Sequence, residues 1–148
     1  MTVKAILSGK GNAVITIEPT VPLGDAVKIL DEHGIGAAVI TDADLHILGM
    51  LSERDIVRTL ARNVRAGGAC RLCDESVGLV MTREVRTCTQ SDTVHEIMER
   101  MTAGKFRHLP VVERGRLVGI VSIGDVVNYR LQEMERESSA LHEYILTA

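Results

Sequence analysis

The sequence predicts a mixed α/β (α+β) fold: two β-α-β-β-α repeats packed as a pseudo-twofold module, followed by a long C-terminal helix. Three observations predict it. The stretch from Val14 lies over the stretch from Val85 at a constant offset of 71. A short element, Gly-x-x-Ser-x-x-Asp, is written twice, as GMLSERD from Gly49 and GIVSIGD from Gly119. Apolar residues then recur at heptad spacing from Val127 to Ile145.

The repeat carries the fold class, because a fixed internal period means paired units rather than one irregular domain. At the offset of 71, Thr16 meets Thr87, Leu23 meets Val94, Ala26 meets Ile97 and Leu30 meets Met101. Ile35 then meets Phe106, and Ile40 meets Val111. After the turns DADLHIL and ERGRLV the offset falls to 70, a one-residue difference in a loop.

Each repeat opens with a short extended piece near Thr16 or Thr87. A helix follows, its apolar positions at helical spacing, as in Val94, Ile97, Met98 and Met101. Two apolar strands come next, AAVIT with ILGML and HLPVV with RLVGIV, and a second helix starts at Ser52 or Ser122. The expected division is a first repeat over 1–62, a linker over 63–80, a second repeat over 81–130 and a helical extension over 131–148. Neither half buries enough surface alone, so the two are expected to pack on each other as one module.

The extension places Val127, Leu131, Met134, Ser138, Leu141 and Ile145 on one seam, with mostly charged residues beside it. Such a seam either covers the module's own core or pairs with a second copy. It outlasts the repeat, which favours a homodimer.

Composition narrows the function. The chain has 148 residues, 45% hydrophobic and 25% charged, which are ordinary globular values. A net charge of −3 and an aromatic content of 2% argue against a nucleic-acid partner. No apolar run approaches the roughly 18 residues of a membrane span, and MTVKAILSGKGN is too short for a signal-peptide core. A cytoplasmic protein without a membrane partner is the expectation. Cys70 and Cys73 have redox or half-zinc spacing, but no second ligand pair accompanies them. They are read as linker residues and no metal is expected.

Ser-x-x-Asp at the head of a helix is first of all a capping pattern. Three features point beyond a cap. The preceding glycine permits close approach of a ligand at a strand end. The element closes both repeats, so a pseudo-twofold makes two related clefts. Arg54 sits in the first helical turn, where a cation opposes the helix dipole unless an anion is bound there. A helix start with a serine suits phosphate, and a carboxylate one turn on accepts hydrogen bonds from vicinal ribose hydroxyls. Met50 or Ile120 beside apolar strands offers a slot for a flat base. Together these describe a nucleoside phosphate. The P-loop and the G-x-G-x-x-G fingerprint are both absent from the sequence.

GMLSERDIV, RHLPVVERGRLVGIVSIGDVV and the two-repeat layout resemble tandem CBS domains, the pair called a Bateman module. The resemblance covers nearly the whole chain. It implies a cleft between repeats for an adenosine-containing ligand such as AMP, ADP, ATP, S-adenosylmethionine or NAD(H). By the same resemblance Asp55 and Asp125 hold ribose, Ser52 and Ser122 approach phosphate, and Thr16 and Thr87 lie near the base. The binding set is completed by Gly36, Ala37, Met50, Arg54, Arg107, His108, Pro110 and Ile120.

Arg107 and His108 stand where the first repeat has Gly36 and Ala37, and Arg54 stands where the second has Gly124. The clefts are therefore expected to differ. Which cleft each basic residue serves stays open, as does a purely structural role for His108. His33, His46, His95 and His142 are read as surface residues. The expected protein is a stand-alone adenine-nucleotide sensor, homodimeric, without chemistry of its own, acting on an unidentified regulated protein. The alternatives are a ligand-free dimerisation module and an enzyme, for which no catalytic constellation is present in the sequence.

Overall fold

A computed structural model describes residues 1–67 and 72–147. In chain order the elements are α1 (Val3–Lys10), β1 (Thr16–Ile17), α2 (Leu23–His33), β2 (Ala37–Thr41), β3 (Ile47–Ser52) and α3 (Glu53–Arg65). After a 3-10 turn at Leu72–Asp74 come α4 (Val77–Val80), α5 (Val94–Gly104), β4 (His108–Glu113), β5 (Arg116–Ser122) and α6 (Ile123–Thr147). No helix among the described residues is long and apolar enough to cross a membrane.

The repeat is visible in the strand register. In the first half, β1 runs parallel to β2 with Ile17 opposite Ile40, and β2 pairs antiparallel with β3. In the second half, the partner of β4 has shrunk to a single parallel bridge, Cys88 opposite Val111. Cys88 still donates to Pro110 O and accepts from Val112 N, so the geometry is kept with less strand. Both hairpins carry a register shift one step beyond a glycine pairing, Ile40 with Gly49 and Val111 with Gly119.

Two apolar cores form, one per half. The first holds Ile17, Leu23, Ala26, Leu30, Ala38, Ile40, Leu51 and Val77. The second holds Val94, Ile97, Met101, Leu109, Val111, Val121 and Val126 together with Val3, Ile6 and Leu7. The N-terminal helix therefore packs on the second half, while α4, from the stretch after the first half, packs on the first. Val3 N donates to Asp92 O and Val77 N to Val21 O, matching anchor points in the two halves. Burying Val3, Ile6 and Leu7 is worth about 1.5–3 kcal/mol each. Their i, i+3, i+4 spacing is a helix signal that the sequence reading passed over.

The glycines before the two serines serve this packing. A Cβ at Gly49 would run into Met81 and would stand 2.9 Å from Thr82 O. A Cβ at Gly119 would meet the Leu7 methyls at 3.0 Å. The close approach expected of a ligand is made instead by the chain's own flanking segments.

Candidate functional site

The two Ser-x-x-Asp elements are capping boxes. At α3, Ser52 Oγ accepts from Asp55 N at 3.2 Å and Asp55 Oδ2 accepts from Ser52 N at 2.9 Å. At α6, Asp125 N donates to Ser122 Oγ at 3.1 Å and Ser122 N to Asp125 Oδ2 at 2.8 Å. Glu53 N donates to Gly36 O and Ile123 N to Arg107 O. Of the donors that open α3, the Arg54 N–H is left for a ligand among the described residues. The cap also leaves one carboxylate oxygen of each aspartate out of the box.

A cavity of about 330 Å³ opens at the start of α3, within the size range of small-molecule sites. From the first half it is lined by Gly36, Ala37, Met50, Ser52, Arg54 and Asp55, all expected site residues. From the second half come Arg107 and His108, so these two face the first half's cleft rather than their own. Sequence reasoning missed Glu53 and Arg58 of α3, Thr82, Glu84, Val85 and Arg86 of the connecting segment, and Lys105 and Phe106. Lys105 and Phe106 directly precede Arg107, a signal that extending the basic cluster by two residues would have caught.

The lining is cationic. Arg54, Arg58, Arg86, Lys105 and Arg107 face three carboxylates, Glu53, Asp55 and Glu84, which leaves a surplus of two positive charges. Arg86 lies over the Phe106 ring at 5.9 Å, which holds its guanidinium at the cavity wall. Gly36 separates Glu53 from His108: a Cβ there would lie 3.5 Å from Glu53 Oε2 and 3.7 Å from His108 Cε1. Burial lowers the His108 imidazole below its ordinary 6.5. The carboxylates Asp125 and Glu53 pull the other way, and Lys10 and Arg107 reinforce the lowering. His108 is thus neutral at pH 7 and able both to donate and to accept.

The remaining expected residues lie elsewhere. Thr16 is exposed on β1 opposite Val39, and Thr87 O accepts from Arg100. Pro110 and Ile120 face each other across β4 and β5. Ser122 and Asp125 head α6, where Lys10 Nζ reaches Asp125 Oδ2 at 2.6 Å. Burial pushes the Asp125 carboxyl up, but the hydrogen bonds from Lys10 and Ser122 outweigh it and hold it below its ordinary value. His33, His46, His95 and His142 are exposed. Cys73 is exposed and Cys88 buried, while Cys70 falls outside the described residues.

On α6, Val126 and Glu133 are buried, whereas Leu131, Met134, Leu141 and Ile145 are each more than half exposed. The seam does not cover the module's own core.

Comparison with known proteins agrees with this architecture. The CBS domain family model matches residues 11–62 and again 76–132. The CBS-domain containing protein ATU1752 of Agrobacterium tumefaciens is 45% identical, with a TM-score of 0.80 over 88% of this chain and 99% of its own. The CBS domain pair of protein MJ0100, solved in complex with 5-methylthioadenosine and S-adenosyl-L-methionine, is 27% identical, with a TM-score of 0.76 over 90% and 98%. The mitochondrial CBS domain-containing protein CBSX3 of Arabidopsis thaliana is 31% identical over 97% of this chain and 71% of its own length. The chain spans 65% of another curated relative it matches. With two matched units, two like-registered hairpins and paired capping boxes at their helix starts, this chain belongs to the CBS domain family as a tandem pair.

Proposed function

We propose that this protein is a regulatory module that binds an adenine nucleotide, AMP before others, in the cavity at Asp55. The observation that carries the reading is the meeting at one cavity of a carboxylate oxygen outside its cap, a free helix-start N–H and cations from both halves. Asp55 takes the ribose diol, the Arg54 N–H and the cationic rim take the phosphate, and Met50 with Val85 flanks the base. A surplus of two positive charges suits a dianionic monophosphate or the two phosphates of NAD(H). ATP and ADP carry more charge and bind more weakly without a metal. The adenosyl ligands of the MJ0100 pair support this class of ligand.

Because the cavity is lined by both halves, an occupant alters how they pack, and a partner protein reads the change. The chain does no chemistry of its own in this reading. It acts in the cytoplasm as a homodimer joined through the exposed seam of α6. Calorimetry with AMP, together with mass spectrometry of whatever nucleotide co-purifies, tests the reading.

The capping boxes favour a second reading, in which the pair is a ligand-free dimerisation module. Under it, neither AMP, NADH nor ATP raises the melting temperature.

A further inference from the structure

The helix starts at Asp55 and Asp125 are built from the same elements, and besides Arg54, Arg107 and His108 one further residue makes them unequal. Thr2 and Val3 occupy the places of Ser76 and Val77, judged by their bridges to Thr93 and Pro22 and by the matched backbone bonds. From there to the start of the first repeat stretch, the N-terminal copy is three residues longer, Val3 to Val14 against Val77 to Val85. The extra length becomes helix: α1 runs eight residues and α4 four. The added turn ends in Lys10.

In the Asp55 cleft, Thr82 makes three contacts, one of them the acceptance of Met50 N by its carbonyl at 2.9 Å. Its N–H donates to Met50 O at 2.9 Å, and its hydroxyl donates to Asp55 Oδ1 at 2.9 Å. At Asp125 one ammonium takes both the strand carbonyl and the carboxylate, though on the capping oxygen Oδ2, where Thr82 takes the uncapped Oδ1 of Asp55. Lys10 Nζ donates to Ile120 O at 2.9 Å and to Asp125 Oδ2 at 2.6 Å, and Ile120 and Asp125 are the repeat equivalents of Met50 and Asp55. Leu7, one turn earlier, is buried against Gly119 and fixes the helix that carries the lysine.

A hydroxyl rotates aside for a ribose at little cost. An ammonium in a 2.6 Å ion pair, with side chains 31% and 24% exposed, has to give up that pairing before the carboxylate can take a ribose. It also cancels the charge that makes an aspartate a strong acceptor of ribose hydroxyls.

We infer that Lys10 is the specificity-determining residue of the pair: it holds Asp125 as an internal salt bridge, closes that cleft to ribose, and restricts nucleotide to the Asp55 cleft. This rests on the nucleotide reading above. The consequence is one nucleotide per chain instead of two.

Calorimetry with AMP on the full chain tests it, comparing wild type, Lys10→Met and Lys10→Met/Asp125→Ala. The wild type binds one AMP per chain. Lys10→Met gains a second site, tightened by roughly two- to fivefold over any residual wild-type binding there, and the double variant loses it again. Lys10→Ala, with Leu7 and its packing untouched, repeats the result if the methionine disturbs α1. Two sites in the wild type, an unchanged single site in both lysine variants, or weaker binding in them overturns the inference while leaving the nucleotide reading standing. Binding by Lys10→Met where the wild type binds none supports Lys10 as the block and overturns the Asp55 reading. No binding by any variant overturns both.

Discussion

Thr82 Oγ1 donates to Asp55 Oδ1 at 2.9 Å, while Oδ2 of the same carboxylate takes the Ser52 N–H at 2.9 Å. One oxygen thus serves the helix and the other faces the cavity, so capping and ligand binding do not compete. Asp55→Asn keeps an acceptor for Ser52 N–H but turns an amide donor toward the ribose. It is expected to weaken AMP binding by about 1.5–3 kcal/mol with little change in melting temperature. Asp55→Ala loses the same affinity and, in addition, about 1 kcal/mol of stability. Calorimetry paired with thermal melts separates the two effects, and undiminished AMP binding in both variants leaves the carboxylate as a cap alone.

His108 gives a pH signature. Its folded value lies below the ordinary 6.5, so between the two the unfolded chain binds a proton that the native chain does not. Stability therefore falls as pH drops from above 6.5 toward the folded value, and this contribution is fully present only above 6.5. Urea titrations from about pH 8 to pH 5 are expected to show that slope, flattened in His108→Gln. Nucleotide phosphate near the ring reverses the preference, so AMP binding takes up a proton near pH 6.5 in the wild type and less in the variant. Equal proton uptake, measured by calorimetry in buffers of different ionisation enthalpy, would place the phosphate away from His108.

The thiols divide by burial. Burial pushes the Cys88 thiol up to about 12, Asp92 adds to the rise, and Arg100 opposes it. A protonated, inaccessible thiol is inert, whereas the exposed Cys73 reacts. In a Cys70→Ser background, a chromogenic disulfide reagent should titrate one thiol natively and a second only after unfolding. Cys70→Ser/Cys73→Ser is expected to fold, to bind nucleotide as the wild type does, and to contain no stoichiometric zinc. Early reaction of Cys88 would mean that the second core opens readily.

The proposed dimer rests on the exposed α6 seam. Glu133 is buried and accepts from Arg130 at 3.0 Å, so cutting the chain after Arg130 would remove a packed residue as well as the seam. Met134→Glu with Leu141→Glu spares that contact, since these side chains are 57% and 60% exposed. Sedimentation of the double variant is expected to show monomer with unaltered AMP affinity. A tight dimer would assign the interface to the repeats themselves.

Local chemistry was legible in the sequence because it is written within a few residues. The offset of 71 falling to 70 set the repeat equivalences in advance, so that Ile17 opposite Ile40 in the first half answers to Cys88 opposite Val111 in the second. Ser52 with Asp55 and Ser122 with Asp125 announced two helix starts, since a capping box needs only three residues of spacing. The heptad steps after Val127 announced a helix running on to Thr147. Tertiary structure alone decided which half each piece serves. It sent α1 to the second core and α4 to the first, aimed Arg107 and His108 at the cavity beside Asp55, and set Lys10 on Asp125, 115 residues away. Spacing within a repeat determines hydrogen bonds and apolar faces. Where the two repeats meet depends on how those faces pack together, and no single stretch of chain encodes that.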